Sequence, residues 1–383
     1  MSAKETILIL CDWFLPGSLA GGPIQSIVTL TKNLAKDLDF KIITTDRDLN
    51  SNKSYENIKI NEWTIFENRT VFYVSPENLT SEFILNLIKK TPHDVLYLNS
   101  LFSKFFAVFP LQWKKQRKLN STIVLAPRGM LRDGALAVKP LKKKLFLRYA
   151  KTLGLFNDIT WQSTSADETH EIKKRIHKKA IVIEAANFPY TPNHFTTITK
   201  NTCELKLCFI ARIVDIKNLL FAIDTLKSIK NCKLIFDIYG PKEDENYWKQ
   251  CEENAKQLPA NISFNYKGFL KSNEVEDALN KYHALFLPTQ TENFGHVIVQ
   301  SLMQGRPVII SNNTPWQNLK KHNAGFDISL TDTLKFIESI NELAKLNQTE
   351  YNIISNASLS YINKQLNIET IKENYLKMFE AKI

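Results

Sequence analysis

The sequence has few cysteines, and no two of them have the spacing of a CxxC pair. The five are Cys11, Cys203, Cys208, Cys232 and Cys251. Three of them, at positions 11, 208 and 232, lie in or beside apolar segments, where a buried, reduced thiol is the ordinary state. This usage argues against a zinc site and favours a reducing, cytoplasmic compartment.

Long hydrophobic runs are also absent. The segment 1–14 is too short for a signal-peptide core followed by a cleavage site. No later apolar run reaches the length that crosses a bilayer. We therefore expect a soluble or peripheral protein of the cytoplasm, on the inner face of the cell membrane if it is peripheral.

What the sequence does have is length, apolar content and positive charge. Its 383 residues are 44% hydrophobic and 23% charged, which indicates a globular protein with two domains. The net charge is +11, and many of the cations lie in two stretches, 114–118 and 139–151. The second stretch reads as a basic amphipathic helix, either a solvated helix face or a surface that docks on an anionic membrane. No nucleic-acid-binding motif accompanies the charge, so we expect no nucleic-acid partner.

Short apolar segments alternate with helical periodicity along the chain, which predicts an α/β fold. Two prolines interrupt the pattern in 188–193, where we place a linker. The predicted domains are 1–190, 191–365 and a carboxyl-terminal segment, 366–383. We expect two Rossmann-like, doubly wound domains facing each other across a cleft, with ligands at the carboxyl ends of their strands.

Two cations follow one predicted strand of the second half. Strand 206–210 leads directly into Ala211-Arg212, and Lys217-Asn218 comes at the start of the next helix. Backbone N–H groups and the helix dipole already favour an anion at such a junction. An arginine and a lysine placed there suit a diphosphate.

A carboxylate precedes another predicted helix. Glu292-Asn293-Phe294-Gly295 follows strand 284–287 and leads into helix 295–304. The three residues after Glu292 would offer N–H donors, and Glu292 would accept hydrogen bonds from sugar hydroxyls. An ordinary charge–dipole partner of the helix is the alternative for Glu292.

Gly21-Gly22-Pro23 connects the first predicted strand and the first helix. The glycines permit close approach of a ligand to the backbone, and the proline suits a first helical turn. A plain turn is the alternative, and the G-x-G-x-x-G dinucleotide fingerprint is not present.

Together these residues resemble the family 4 glycosyltransferases, retaining enzymes with the GT-B fold. The resemblance covers nearly the whole chain, and Pro127-Arg128-Gly129-Met130-Leu131 resembles a stretch of members that build bacterial surface polysaccharides. The motifs that occur in the family's order are Ala211-Arg212, Lys217-Asn218, Tyr239-Gly240-Pro241, Lys267-Gly268-Phe269, Glu292-Asn293-Phe294-Gly295, Gly305-Arg306-Pro307-Val308 and Thr314-Pro315-Trp316.

The resemblance implies a role for each of these positions. Arg212 and Lys217 would hold the donor diphosphate, and Glu292 would act with them as the catalytic set. The loop of Gly21 and Gly22 would close over the phosphates from the other domain, and the last helix would cross back to the first domain. The other implied donor-binding positions are Gly240, Gly268, Phe269, Asn293, Phe294, Gly295 and Gln300.

This sequence departs from the family pattern at two positions. Gln300 stands where the family has a second glutamate that accepts from the ribose hydroxyls, so a neutral amide would replace a charged acceptor. Many members of the family carry a histidine near the first-domain loop that faces the transferring sugar, and Arg128 is the nearest candidate for that position in this sequence. An arginine cannot act as a base, so we expect Arg128 to bind an acidic acceptor or the donor phosphates.

The resemblance implies transfer of a sugar from a nucleotide-diphosphate sugar to a glycan or lipid-linked glycan in cell-surface polysaccharide assembly. Same-face attack would give retention, with a leaving-group phosphate oxygen taking the acceptor proton. No DxD-like motif stands at a suitable strand end, so we expect neither a metal nor another cofactor. Two alternatives stay open: an inactive subunit that binds nucleotide sugar or glycan, and a nucleotide-sugar epimerase of the same fold.

Overall fold

The computed structural model describes residues 4–137, 139–192 and 196–380. They form two compact units. The first contains the chain up to Phe188 and again from Ile368 onward, and the second is Pro189–Asn367. The division between Phe188 and Pro189 therefore lies at the amino-terminal end of the linker expected at 188–193. Asn193, the last residue of that linker, is outside the described residues.

The first unit is built on an eight-stranded sheet with the order β3-β4-β2-β1-β5-β6-β7-β8. All neighbouring strands are parallel except β3, which runs antiparallel to β4 at the edge. The chain reverses its direction of winding between β1 and β5. The strands are β1 (Thr6–Leu10), β2 (Asp39–Thr45), β3 (Trp63–Phe66), β4 (Arg69–Val74), β5 (Val95–Asn99), β6 (Thr122–Ala126), β7 (Thr160–Ser163) and β8 (Ile181–Glu184).

Helices cover this sheet, and a π-helical turn, Lys104–Val108, leads into one of them. Side-chain caps fix several helix starts, as where Ser165 accepts a hydrogen bond from the backbone of Glu168. The helices are α1 (Gly22–Asn33), α2 (Ser81–Lys90), α3 (Phe109–Lys115), α4 (Asp133–Ala137), α5 (Pro140–Thr152) and α6 (Ala166–Arg175).

The second unit has a six-stranded parallel sheet with the order β11-β10-β9-β12-β13-β14. Numbered within the unit this order is 3-2-1-4-5-6, that of a doubly wound nucleotide-binding fold, with the switch point between β9 and β12. The prediction of an α/β chain with two such sheets is confirmed. The strands are β9 (Glu204–Ile210), β10 (Lys233–Tyr239), β11 (Ile262–Tyr266), β12 (Ala284–Leu287), β13 (Val308–Ser311) and β14 (Gly325–Ile328).

The helices of the second unit differ in detail from the predicted ones. The helix predicted to start at Lys217-Asn218 begins later, because Asn218, with a φ of 63°, ends a 3-10 turn, Asp215–Lys217, ahead of α7. The helices of this unit are α7 (Leu219–Leu226), α8 (Glu245–Ala255), α9 (Val275–Leu279), α10 (His296–Met303), α11 (Thr333–Lys345) and α12 (Gln348–Gln365).

The last helix, α13 (Ile368–Glu380), packs in the first unit. Tyr375 is fully buried, its ring is stacked on Phe188 with centroids 5.2 Å apart, and its hydroxyl accepts a 2.7 Å hydrogen bond from Gln162. Phe379 meets Tyr97 edge to face at 5.4 Å. The amphipathic pattern of α13 is thus satisfied by the core of the first sheet.

We expect Tyr375→Ala to lower the free energy of unfolding by about 3–5 kcal/mol, because it leaves a cavity and removes the partner of Gln162. Glu373→Ala, on the exposed face of the same helix, should change it by less than about 0.5 kcal/mol. Urea denaturation followed by circular dichroism measures both. Equal stability of the two variants would show that α13 is not held as described.

Candidate active site

A partly buried ion pair lies at the switch point of the second sheet. Lys217 ends the 3-10 turn that follows β9, and Glu292 lies in the loop between β12 and α10. Lys217 Nζ is 2.6 Å from Glu292 Oε2, and the two side chains are 16% and 18% exposed. Neighbouring strand ends therefore bring together two residues that are 75 positions apart in the chain.

Backbone hydrogen bonds hold the two loops in this arrangement. The backbone N–H of Gln290 donates to the carbonyl of Ile216 at 2.9 Å, and the hydroxyl of Thr289 donates to the same carbonyl at 3.1 Å. Asn218 Nδ2 donates to the carbonyl of Pro288 at 3.0 Å. The ion pair thus depends on a fixed loop geometry and not on two flexible side chains alone.

The electrostatics of Glu292 are set by burial and by Lys217. Burial by itself would raise the pKa of Glu292, but the nearby ammonium and its hydrogen bond lower that pKa below its ordinary value of 4.5. The backbone N–H of Asn293, 3.1 Å from Glu292 Oε1, acts in the same direction. Glu292 is therefore ionised at neutral pH and accepts hydrogen bonds.

Arg212, the other predicted phosphate ligand, has a carboxylate partner of its own. Its Nη1 is 2.7 Å from Oε2 of Glu243, which follows β10, and the side chains are 39% and 29% exposed. Both predicted diphosphate ligands therefore stand at carboxyl ends of strands, and both are paired with glutamates. Sequence reasoning missed Glu243, since it lies in a run of charged residues with no signal of its partner.

Gly295 has a left-handed backbone, with φ 75° and ψ 63°, directly before α10. A Cβ atom there would lie 2.9 Å from Ile298 Cδ1 and 3.0 Å from Glu292 Cγ. The position therefore favours glycine both by conformation and by space. The backbone N–H of Ile298 donates to the carbonyl of Gly295 at 2.9 Å, and the helix dipole at this end favours an anion or a sugar oxygen.

Phe294 is buried and anchors the start of α10. Trp316 Nε1 donates a 2.6 Å hydrogen bond to the carbonyl of Phe294, and the two rings are 5.5 Å apart. The ring of His296 lies 4.8 Å from that of Phe294 on its other side, and His296 contributes to the low pKa of Glu292. Sequence reasoning places His296 closer to the site than the other histidines but attaches no role to it.

Gln300, the position of the missing second glutamate, lies on α10 and is 5% exposed. The structure places it one helical turn beyond His296, on the same helix as the amides that follow Gly295. Its contact with a ribose stays a prediction.

Gly240, which follows β10, is in close contact with the end of β9. Its φ is 150°, and a Cβ atom would lie 1.7 Å from the carbonyl oxygen of Ala211. Its N–H donates to the carbonyl of Gly268 at 2.9 Å. Gly268 has a φ of 84° with open space around it, and the next residue, Phe269, is 47% exposed. An open glycine beside an exposed ring suits the stacking of a flat ligand.

In the first unit, Gly21 caps α1 with φ 62° and ψ −115°, and no atom lies within 4 Å of a Cβ built there. Asp48 fixes the preceding loop, because its Oδ2 accepts from the backbone N–H groups of Ser18 and Leu19 at 2.7 and 3.0 Å. Gly22 begins the helix. This loop therefore has an anchored base and an open glycine at the helix start.

Arg128, predicted to bind the acceptor, lies after β6 with a φ of 54°. Its guanidinium donates to Asn187 Oδ1 at 2.7 Å, to Asn99 Oδ1 at 2.6 Å and to the hydroxyl of Tyr97 at 2.9 Å. These acceptors are neutral oxygens. Glu168 lies in the same region, where its Oε1 accepts instead from the backbone N–H of Gly129 at 2.6 Å.

Asp12 is a further carboxylate at this edge of the first sheet, just after β1. Its Oδ1 accepts a 2.7 Å hydrogen bond from the Ser103 hydroxyl. Burial raises the pKa of Asp12 to about 6, although the hydrogen bond from Ser103 opposes the shift. Its position after an apolar strand was the signal that sequence reasoning passed over.

No group of three or more histidine, cysteine, aspartate or glutamate side chains is arranged to hold a metal ion within the described ranges. The expectation that no metal is required stays a prediction.

We expect the Lys217–Glu292 pair to show strong coupling in a double-mutant cycle. Lys217→Met, Glu292→Gln and the double variant should give a coupling energy of about 1–3 kcal/mol at pH 7. The more exposed Arg212–Glu243 pair, treated in the same way, should give a coupling energy of less than about 1 kcal/mol.

Because folding lowers the pKa of Glu292, the contribution of this carboxylate to the free energy of unfolding is present at neutral pH. It should be lost as the pH falls below the ordinary value of 4.5. Urea titrations between pH 3 and 7 measure this, and a coupling energy independent of pH would contradict it.

Two of three comparisons with known proteins found similar proteins. The family model for glycosyl transferases group 1 matches residues 191–359. No curated protein sequence matches the chain. Among solved structures, sucrose-phosphate synthase from Thermosynechococcus elongatus has a TM-score of 0.71 at 13% identity, covering 98% of each chain.

Two further structures have the same fold. HepE of Anabaena, in complex with UDP and glucose, has a TM-score of 0.71 at 14% identity and covers 97% of this chain and 98% of its own. TarM of S. aureus, in complex with UDP and sugar ligands, has a TM-score of 0.68 at 13% identity and covers 98% of this chain and all of its own. Residues 191–359 of this chain therefore match the model of the group 1 glycosyl transferases, and the chain as a whole has the GT-B fold.

Proposed function

We propose that the protein is a retaining glycosyltransferase that moves a sugar from a nucleotide-diphosphate donor to a glycan or lipid-linked glycan acceptor. The observation that carries the proposal is the Lys217–Glu292 pair, with Arg212 on the same loop, at the switch point of a group 1 glycosyl transferase unit. Cations, a carboxylate and the start of a helix meet there, which is what a sugar diphosphate needs.

The donor diphosphate replaces carboxylate partners that the free protein already has. Arg212 leaves Glu243, which the partly exposed geometry permits, and its guanidinium takes two phosphate oxygens. Lys217 stays between the phosphate and Glu292. Glu292 thereby keeps its charge and accepts hydrogen bonds from hydroxyls of the donor sugar, while the amides after Gly295 face the same ligand.

The remaining donor contacts follow from the neighbouring loops. The exposed ring of Phe269 and the open backbone of Gly268 border the base. Gln300 accepts from a ribose hydroxyl through its amide oxygen, a contact weaker by about 1–2 kcal/mol than one to a carboxylate. In the first unit, Gly21 and Gly22 give the donor phosphates close access to the backbone.

The chemical step breaks the bond between the anomeric carbon and the diphosphate oxygen. Arg212, Lys217 and the helix-start amides stabilise the charge that builds on the leaving diphosphate, the kind of electrostatic term that usually dominates such reactions. The acceptor oxygen bonds to the anomeric carbon on the same face, and a phosphate oxygen takes its proton. We propose that these groups carry the leaving-group charge with no required metal.

The acceptor is proposed to lie beside Arg128. The guanidinium is held by neutral oxygens of three side chains, which fix its position after β6. Such a fixed cation favours an anionic group, as in a phosphate-bearing lipid-linked glycan of cell-surface polysaccharide assembly.

Donor binding is tested with nucleoside diphosphates and their sugars. A ligand at about 100 times its dissociation constant should stabilise the protein by roughly 2.7 kcal/mol, which a thermal-shift panel of bases detects. Arg212→Ala/Lys217→Ala should weaken binding about 100-fold or more by calorimetry, because two charge-assisted contacts are lost. The matched control is Lys249→Ala/Lys256→Ala, which removes the same charge from an exposed surface and should bind like the parent.

The same panel separates the alternatives. Equal loss of binding in the control and site variants would mean that only net charge matters, and no binding of any base would overturn the diphosphate site. Binding unchanged by chelator and by added manganese supports a metal-free donor site. Tight binding without release of nucleoside diphosphate on any acceptor extract would favour an inactive binding subunit, for which Gln300 is the one supporting feature.

We propose further that α5 docks the protein on an anionic bilayer from the cytoplasmic side. Apolar side chains four positions apart form a line on the exposed face of this helix. They are Leu141, Leu145, Tyr149 and Leu153, which are 76%, 68%, 48% and 43% exposed. No helix within the described ranges has the length and apolarity to span a bilayer.

Cations surround this apolar line. A groove of about 670 Å³ beside α5 includes Lys144, Arg148 and Lys151 in its lining, with Lys174 of α6 facing them. An apolar ridge next to basic side chains matches the boundary between acyl chains and anionic headgroups.

Vesicle sedimentation tests this contact. The protein should bind vesicles of phosphatidylcholine and phosphatidylglycerol far better than phosphatidylcholine alone, and salt should weaken the binding. Leu141→Ser/Leu145→Ser should reduce partitioning at least about tenfold. The control Leu334→Ser/Ile353→Ser changes side chains of similar exposure, 71% and 60%, in the second unit and should have no effect. Equal partitioning of both double variants would refute docking through α5.

A further inference from the structure

Two cysteines precede the neighbouring strands β9 and β10 at the edge of the sheet opposite the donor site. Cys203 comes directly before Glu204 and Cys232 directly before Lys233, and these two strand residues are paired in register. The backbone N–H of Lys233 donates to the carbonyl of Cys203 at 2.9 Å. Residues in register on adjacent strands are about 4.8 Å apart, within the Cα separation of about 4.4–6.8 Å that a disulfide requires.

The two thiols also meet through their side chains. Burial raises the pKa of the Cys232 thiol, and a hydrogen bond with Cys203 raises it further. Cys232 is 3% exposed, whereas Cys203 is partly exposed and has a φ of 60° that turns the chain into β9. The pair therefore has one accessible sulfur and one buried sulfur behind it.

A buried cation lies beside this pair. The ammonium of Lys200 donates to the carbonyls of Asn201, Ala344 and Leu346 at 2.7–2.9 Å. Its charge acts on both thiols. A nearby cation favours the thiolate, the form that attacks a disulfide. The other three cysteines, Cys11, Cys208 and Cys251, are buried, and burial raises the pKa of each thiol.

We propose that Cys203 and Cys232 form a reversible disulfide by exchange with a low-molecular-weight disulfide such as glutathione disulfide. The Cys203 thiolate attacks one sulfur of glutathione disulfide and releases one glutathione thiolate, leaving a mixed disulfide on Cys203. Cys232 then loses its proton and attacks the Cys203 sulfur, releasing the second glutathione. Two protein thiols are oxidised and one glutathione disulfide is reduced to two thiols.

The bond would lie one strand length away from the donor site. The seven residues of β9 place about 23 Å between its two ends, and Arg212 and Lys217 follow the far end. The closed loop, 203–232, contains β9, both cations and α7. Oxidation therefore stabilises the donor half by constraining its unfolded chain, and it leaves the ligand-binding loops open.

The test is exchange on the folded, full-length protein with a series of glutathione and glutathione disulfide ratios. After quenching, free thiols are alkylated in denaturant and the peptides are mapped by mass spectrometry. We expect one linked pair, Cys203 with Cys232, a loss of two hydrogen atoms from the intact mass, and full alkylation of the other three cysteines. The oxidised protein should have a higher Tm than the reduced one.

Variants identify the order of attack. Cys232→Ser should accumulate a stable glutathione adduct on Cys203. Cys203→Ser should form neither this adduct nor the disulfide, because it lacks the attacking thiol. Cys251→Ser is the control and should oxidise like the parent. Absence of the linked peptide even in pure glutathione disulfide, or an adduct on Cys232 in place of Cys203, would overturn the proposal. Because the readout is covalent mass, it is independent of whether any sugar donor binds.

Discussion

The second unit depends on one topological constraint, the reversal of winding between β9 and β12. These strands are neighbours and parallel, so their carboxyl ends meet while their connections leave on opposite sides. A cation after one strand and a carboxylate after the other then share a small space. Lys217 and Glu292 occupy it, and the backbone bonds around Ile216 and Gln290 keep it from opening.

The same constraint explains where glycine is required. The end of β10 is so close to β9 that Gly240 has the Ala211 carbonyl where a Cβ would be. Gly295 turns the chain into α10 beside the Glu292 side chain. Gly240 therefore keeps the ends of β9 and β10 close together, and Gly295 keeps the start of α10 beside Glu292. The glycines of the sequence motifs are therefore the same glycines that the close packing of the backbone requires.

The alternation of apolar runs and helices made the α/β class and most strands of both sheets predictable, because a buried parallel strand is continuously apolar. The edge strands β3 and β14 were not predicted, because Thr64 and Asp327 interrupt their apolar residues. Side-chain contacts between residues far apart in the sequence could not be predicted either. Glu243 lies 31 positions from Arg212, and Asp48 lies 30 positions from Ser18 in the loop that it anchors. Motif order identified the cations and Glu292 but not what holds each of them.

Arg212 and Arg128 differ in how firmly their side chains are held, because their hydrogen-bond partners differ. Arg212 is 39% exposed and contacts a carboxylate, so a diphosphate can displace that contact at a small cost in side-chain order. Arg128 donates to neutral oxygens of three side chains, and moving it would leave those oxygens without a donor. Arg212 is built to exchange partners. Arg128 is held in place at the end of β6 by these three side chains, and the charge of Glu168 also acts on it.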